Sequence, residues 1–156
     1  GFYSSIQIFN HQDFTKEQHQ KVLEVLEFLE ILELKDKKVH QMSTGQLRRC
    51  IIGRALIHDP KAFILDEPTV GLDIKSQHSF IKLIQKLSKS ASIIIVTHHI
   101  EEIFEEITHV ALIHNKTIFK QGKKEDILTS KNLSEIFEID IDLQKENERY
   151  YIKSIK

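Results

Sequence analysis

The sequence predicts an α/β fold, and three patterns carry that expectation. Two short apolar runs, residues 62–65 and 92–96, each stop at a polar cluster, as buried parallel strands do when they deliver side chains at their C-terminal edge. Around them the apolar residues recur at helical spacing. With 156 residues, 40% of them hydrophobic, the chain is long enough to bury a core and short enough to be one domain or part of one.

Taken in order, Thr15 followed three residues later by Gln18 has the pattern of a capping box, and Val22, Val25, Leu26, Leu29 and Leu32 then share a helical face. An amphipathic helix over about 16–34 is expected. Residues 35–38 form a charged turn, after which Ser43 stands where an N-cap belongs and Leu47, Ile51 and Ala55 line a helix reaching about His58. Asp59-Pro60 ends it. The first strand follows at 62–65, a helix at about 74–87, and the second strand at 92–96, stopping at Thr97-His98-His99. A short helix near 100–106 leads to a hairpin, 110–114 and 118–120, turning at Asn115-Lys116. Two short helical stretches, near 124–129 and 133–137, precede a last hairpin, 139–143 with 150–155, around a charged turn. The divisions expected are a helical portion over 1–58, a core portion over 59–138 and a β-hairpin extension over 139–156.

Charge excludes some functions. The 22 Lys and Arg nearly cancel the 23 Asp and Glu, so no long-range field marks a nucleic-acid binder or a polybasic membrane clamp. Any phosphate chemistry is therefore local. One cysteine, Cys50, forms no internal disulfide, which fits a reducing compartment. No apolar run approaches the roughly 20 residues that span a bilayer. The chain opens at Gly1 with no initiator methionine, the pattern of a segment excised from a longer protein.

The chemistry gathers at the strand ends. An apolar strand ending in Asp66-Glu67 suits phosphoryl transfer, with one carboxylate for Mg²⁺ and its neighbour to orient or deprotonate an attacking water. The run continues as Pro68-Thr69, then Gly71-Leu72-Asp73, and Met42-Ser43-Thr44-Gly45-Gln46 stands about twenty residues upstream at a helix start. Free N–H groups and the positive end of a dipole make such a start attractive to a phosphate.

Together these residues strongly resemble the ABC ATPase family, over roughly residues 40–130. The resemblance implies a partial P-loop NTPase domain: a helical subdomain, a Walker B strand, a switch-histidine strand and a C-terminal hairpin. It implies that Asp66 holds Mg²⁺, that Glu67 is the catalytic carboxylate, that Asp73 is the D-loop aspartate and that His98 is the switch histidine facing the γ-phosphate. The signature, usually LSGGQ, stands here as MSTGQ. Ser43, Gly45 and Gln46 match it, while Met42 and Thr44 depart, and Thr44 narrows backbone freedom where the family has its first glycine. His99 is left out of the site because adjacent residues on an extended segment point opposite ways.

One motif is missing. A phosphate-binding loop of the form G-x-x-x-x-G-K-S/T needs glycines five apart, and those at 1, 45, 53, 71 and 122 provide no such pair. The family carries that loop upstream of the signature, so the expectation is a fragment, inactive alone, of an ATP-hydrolysing transporter subunit. Expected partners are ATP and Mg²⁺, a second ABC ATPase subunit in a dimer, and transmembrane permease subunits, at the cytoplasmic face of the cell membrane. No nucleic acid is expected, although a soluble ABC protein acting on nucleic acid or ribosomes is the alternative.

Overall fold

A computed structural model describes residues 15–155; the expectations for residues 1–14 and 156 lie outside it. The chain divides into two compact units, at Ile95/Val96.

In the first unit, α1 (Lys16–Phe28) begins with the expected capping box: Thr15 Oγ1 accepts the Gln18 N–H and Gln18 Oε1 accepts the Thr15 N–H. It stops well short of residue 34. Glu30 turns left-handed at φ 56°, the Ile31 N–H bonds the Leu26 carbonyl and the Glu30 N–H bonds the Glu27 carbonyl. This is a Schellman stop, which usually recruits glycine, so a glutamate there hides it from sequence reading. A 3₁₀ turn at Leu32–Leu34 then buries Leu34.

The next helix, α2 (Thr44–Leu56), packs against α1 at Gly53, where a Cβ would come within 2.7 Å of Leu29 Cδ1. Leu29 is fully buried, and burying such a side chain contributes about 1.5–3 kcal/mol. Helix α3 (Ile74–Leu87) has its expected bounds and buries Phe80, Leu83, Ile84 and Leu87, one continuous apolar stripe at i, i+3, i+4 and i+7.

Strands β1 (Ala62–Asp66) and β2 (Ser92–Val96) pair with one another. The expectation that these runs are buried needs correction. Phe63 is buried, but Ile64 is 73% exposed, Ile94 54% and Val96 48%. Alternate residues of a strand face opposite sides, and the described residues cover one side only. A continuous apolar run suits a strand buried on both faces.

The second unit has a core of its own, formed by Ile100, Leu112, Ile127, Leu128, Leu133, Ile141 and Tyr150. The expected helix near 100–106 is reduced to a 3₁₀ turn at Ile100–Glu102. Buried Lys124 holds the chain that follows, its Nζ donating to the Phe104 carbonyl at 3.2 Å and the Glu105 carbonyl at 2.8 Å. Strands β3 (His109–His114) and β4 (Thr117–Lys123) form an antiparallel hairpin with a register shift at Leu112/Ile113. After α4 (Lys124–Ile127) and α5 (Ser130–Phe137), β5 (Ile141–Glu146) and β6 (Arg149–Ile155) form another. Both turn on two residues of positive φ, Asn115-Lys116 and Asn147-Glu148, which matches the right-handed twist of the strands. The terminal hairpin contributes Ile141 and Tyr150 to the core.

Candidate functional site

The start of α2 carries the Met42-to-Gln46 motif. Ser43, at φ −68° and ψ 163°, is the N-cap: its Oγ accepts the Gln46 N–H at 3.3 Å, while Gln46 Oε1 accepts the Ser43 N–H at 3.0 Å. This reciprocal cap uses one lone pair of the serine oxygen and leaves its O–H proton available to donate. Thr44 and Gly45 occupy the first two helical positions, whose N–H groups have no partner within a helix. The motif therefore gathers several donors at one helix start, the Ser43 O–H and the Thr44 and Gly45 N–H groups, with no charged side chain among its five residues. Ser43 and Thr44 are exposed and Gly45 and Gln46 half-buried.

Gly45 lies beside the start of the next helix. A Cβ on it would lie 3.6 Å from Leu72 Cδ2 and 3.9 Å from the Ser76 side chain, so the motif packs against the beginning of α3. Asp73 caps that helix, its Oδ1 accepting the Ser76 N–H at 3.0 Å and its Oδ2 the Ser76 hydroxyl at 2.6 Å. The Ser76 hydroxyl, with backbone N–H groups behind it, holds the Asp73 carboxyl below its ordinary value. The residue singled out for nucleotide contact thus already has a structural task.

At the end of β1, Asp66 is exposed and Glu67 half-buried. Glu67 adopts φ 42°, a left-handed conformation that costs a non-glycine residue about 1–3 kcal/mol and persists only where neighbours enforce it. Buried Pro68 and Thr69 follow, then Gly71 at φ 76°, where glycine alone turns without strain. Sequence reading missed what holds this loop. Arg48, on α2, donates from Nη1 to the Glu67 carbonyl at 3.4 Å and also to the Pro68 carbonyl, and from Nη2 to the Val70 carbonyl. Its neighbour Arg49 donates to the Leu29 carbonyl, to Ser79 Oγ at 2.6 Å, and pairs with Glu30 at 3.5 Å. The only sequence signal for either was a pair of arginines inside an otherwise apolar helix segment.

His98 belongs to the second unit. The expected opposition of His98 and His99 fails: their ring centroids are 4.1 Å apart and tilted by 37°. Strand β2 ends at Val96 and Thr97 Oγ1 accepts the His99 N–H at 2.9 Å, so the chain bends and strand alternation no longer applies. Among the described residues no three His, Cys, Asp or Glu side chains converge as metal ligands. A shallow depression of about 410 Å³ in the second unit is lined by Glu125, Thr129, Ser130, Lys145 and Tyr150, none of them a candidate site residue. Its polar groups serve the fold, with Lys145 paired to Glu125 and Glu148 and Ser130 Oγ accepting the Leu143 N–H.

Comparison with known proteins decides the family. Residues 2–70 match the ABC transporter family model. An uncharacterized ABC transporter ATP-binding protein of Bacillus subtilis, YlmA, is 32% identical over 155 residues, 97% of this chain and 58% of that protein. The chain belongs to the ABC ATPase family. Among solved structures, cbiO1 of Clostridium perfringens, part of the ABC transporter complex cbiONQ, shares 31% identity over 81% of this chain and 51% of its own, with a TM-score of 0.68. An inward-facing transporter described as metal-chelate type matches 96% of this chain and 60% of its own with a TM-score of 0.79, at 24% identity, which speaks to the fold alone. This ABC ATPase chain spans little more than half the length of these relatives. The fold is that of part of an ABC ATPase domain, and ATP hydrolysis is the chemistry of the family.

Proposed function

We propose that the chain supplies the signature, Walker B and switch-histidine portion of the ATP site of an ABC transporter ATPase. The phosphate loop, absent from these 156 residues, is supplied by other sequence. The observation that carries this reading is the pairing of a helix start at Ser43–Gln46 that offers a hydroxyl and free N–H donors with a left-handed Glu67 just beyond the apolar strand β1. The open apolar face at Ile64, Ile94 and Val96 supports a chain that functions as part of a larger sheet, inactive by itself.

In this reading the Ser43 hydroxyl and the Thr44 and Gly45 N–H groups bind the γ-phosphate of ATP held by a second subunit, while Glu67 orients and deprotonates the attacking water. His98, in the second unit, is the candidate switch histidine, a γ-phosphate contact that the family resemblance implies. Asp73 acts through the start of α3, the helix it caps. Mg²⁺ fits the donor set: it needs one or two carboxylates beside substrate phosphates and water, and a single exposed Asp66 with no wider acidic cluster among the described residues meets that need. When bound there, the ion would neutralise charge building on the phosphates.

The relatives are named as transporter ATP-binding proteins, which favours permease partners over nucleic acid. Among the described residues no helix is long and apolar enough to cross a membrane, which suits a subunit docked on the cytoplasmic face by its permease. The cargo belongs to the permease. Glu67→Gln tests the assignment: in the full-length protein it should keep ATP binding and suppress turnover, because the amide preserves shape and removes the base. Turnover at the parental rate would remove Glu67 from the role.

A further inference from the structure

We infer that Arg48 is a positioning residue for Glu67, joining the helix that presents Ser43 to the loop that presents the carboxylate. The inference rests on the proposed role of Glu67 and adds the residue that holds it in place.

Three carbonyl oxygens, those of Glu67, Pro68 and Val70, converge on one guanidinium. Convergence of this kind needs a cause, because carbonyl dipoles repel when they point at one another. Within the loop, the Val70 N–H reaches the Glu67 carbonyl at 3.3 Å and the Leu72 N–H the Thr69 carbonyl at 3.1 Å, so the Arg48 fork adds to turn bonds already made along the backbone. A planar fork of N–H donors meets several acceptors at once, whereas an ammonium is a single flexible head. The residue whose backbone is least comfortable, Glu67 at φ 42°, is among the three that Arg48 holds.

Geometry separates Arg48 from its neighbour. Arg49 bonds the end of α1 and Ser79 on α3, contacts that tie the helices together away from the loop. Arg48 contacts residues 67–70 and lies five residues beyond Ser43 on the same helix. At 1.5 Å per residue that is about 7.5 Å of rigid rod. A displacement of α2 by nucleotide bound to Ser43 is therefore passed to the backbone of Glu67. In an ABC pair this links nucleotide held by the partner to the carboxylate acting on the subunit's own nucleotide.

The test uses the full-length protein in its ATP-hydrolysing assembly, with Arg48→Gln, Arg48→Lys, Glu67→Gln and the double variant Glu67→Gln/Arg48→Gln. Misplacing a catalytic group by a fraction of an ångström lowers the chemical step without touching binding, so Arg48→Gln should reduce kcat about tenfold or more while KM for ATP stays within about twofold. Arg48→Lys should fall between that variant and the parent, and the double variant should turn over no more slowly than Glu67→Gln. Should Arg48→Gln fail to fold by circular dichroism, Arg48→Lys carries the same kcat and KM comparison. A folded Arg48 variant with parental kcat beside an inactive Glu67→Gln overturns the inference and leaves the reading of Glu67 standing. A fall expressed wholly in KM also overturns it. Parental turnover by Glu67→Gln overturns the reading of Glu67 itself.

Discussion

Ser43 and Gln46 hold one another across the first turn of α2, each side chain accepting the other's backbone N–H, at 3.3 and 3.0 Å. Lys37 adds a third contact, its Nζ lying 3.4 Å from Gln46 Oε1. The residue proposed to touch nucleotide is thus also the one that starts its helix. Ser43→Ala should cost about 0.5–2 kcal/mol of stability, and Ser43→Thr, which keeps an oxygen in place, much less. Urea denaturation of the three proteins measures it; equal midpoints for parent and alanine variant would mean that the cap contributes nothing.

Lys124 gives a prediction confined to the second unit. It is 5% exposed, and its ammonium serves the carbonyls of Phe104 and Glu105. Lys124→Met keeps the stem and removes the donor, leaving those carbonyls without it, at a cost of about 1–3 kcal/mol. Hydrogen exchange should show the loss at amides of the second unit, such as Leu128 and Leu133, with α3 unchanged. Unaltered exchange in the second unit would contradict the account.

Asp73 makes the start of α3 sensitive to acid. Its carboxyl is held below the ordinary value by Ser76, so the folded state favours the ionised form. The associated stability is fully present above the unfolded Asp value, near about 4, and is lost as pH falls through the lower folded value. Asp73→Asn keeps a capping oxygen but not the charge. The parent should be the more stable at pH 7, and the gap should close as pH falls below about 4; a gap constant with pH would show that the charge is idle there.

How much of this was legible in the sequence depended on whether one local rule acted alone. Helix α3 was, because its four buried residues follow one stripe and Asp73 marks the start. Both hairpin turns, the capping box at Thr15 and the N-cap at Ser43 were similarly local, whereas the reciprocal bond from Gln46 back to Ser43 was not read. Helix α1 was read too long because the stop at Glu30 places a glutamate where glycine is usual. The segment after β2 was read as helix and as alternating, yet only a 3₁₀ turn forms at Ile100–Glu102, the carbonyls of Phe104 and Glu105 are taken by Lys124 about twenty residues downstream, and beyond Thr97 the rings of His98 and His99 lie side by side. The grip of Arg48 on residues 67–70 spans about twenty residues, and no periodic pattern reports such a contact.

The most direct test of the proposed split site asks whether Ser43 faces a partner's nucleotide. In full-length protein carrying Glu67→Gln, ATP should drive dimerisation, because bound nucleotide is held between subunits and not consumed. Adding Ser43→Arg places bulk and charge at the start of α2, where Ser43 is exposed and leaves room to fold. Light scattering with and without ATP, alongside binding of a fluorescent nucleotide analogue, makes the measurement. The account predicts that the double variant stays monomeric with ATP while each monomer still binds the analogue; an undiminished ATP-driven dimer would contradict it.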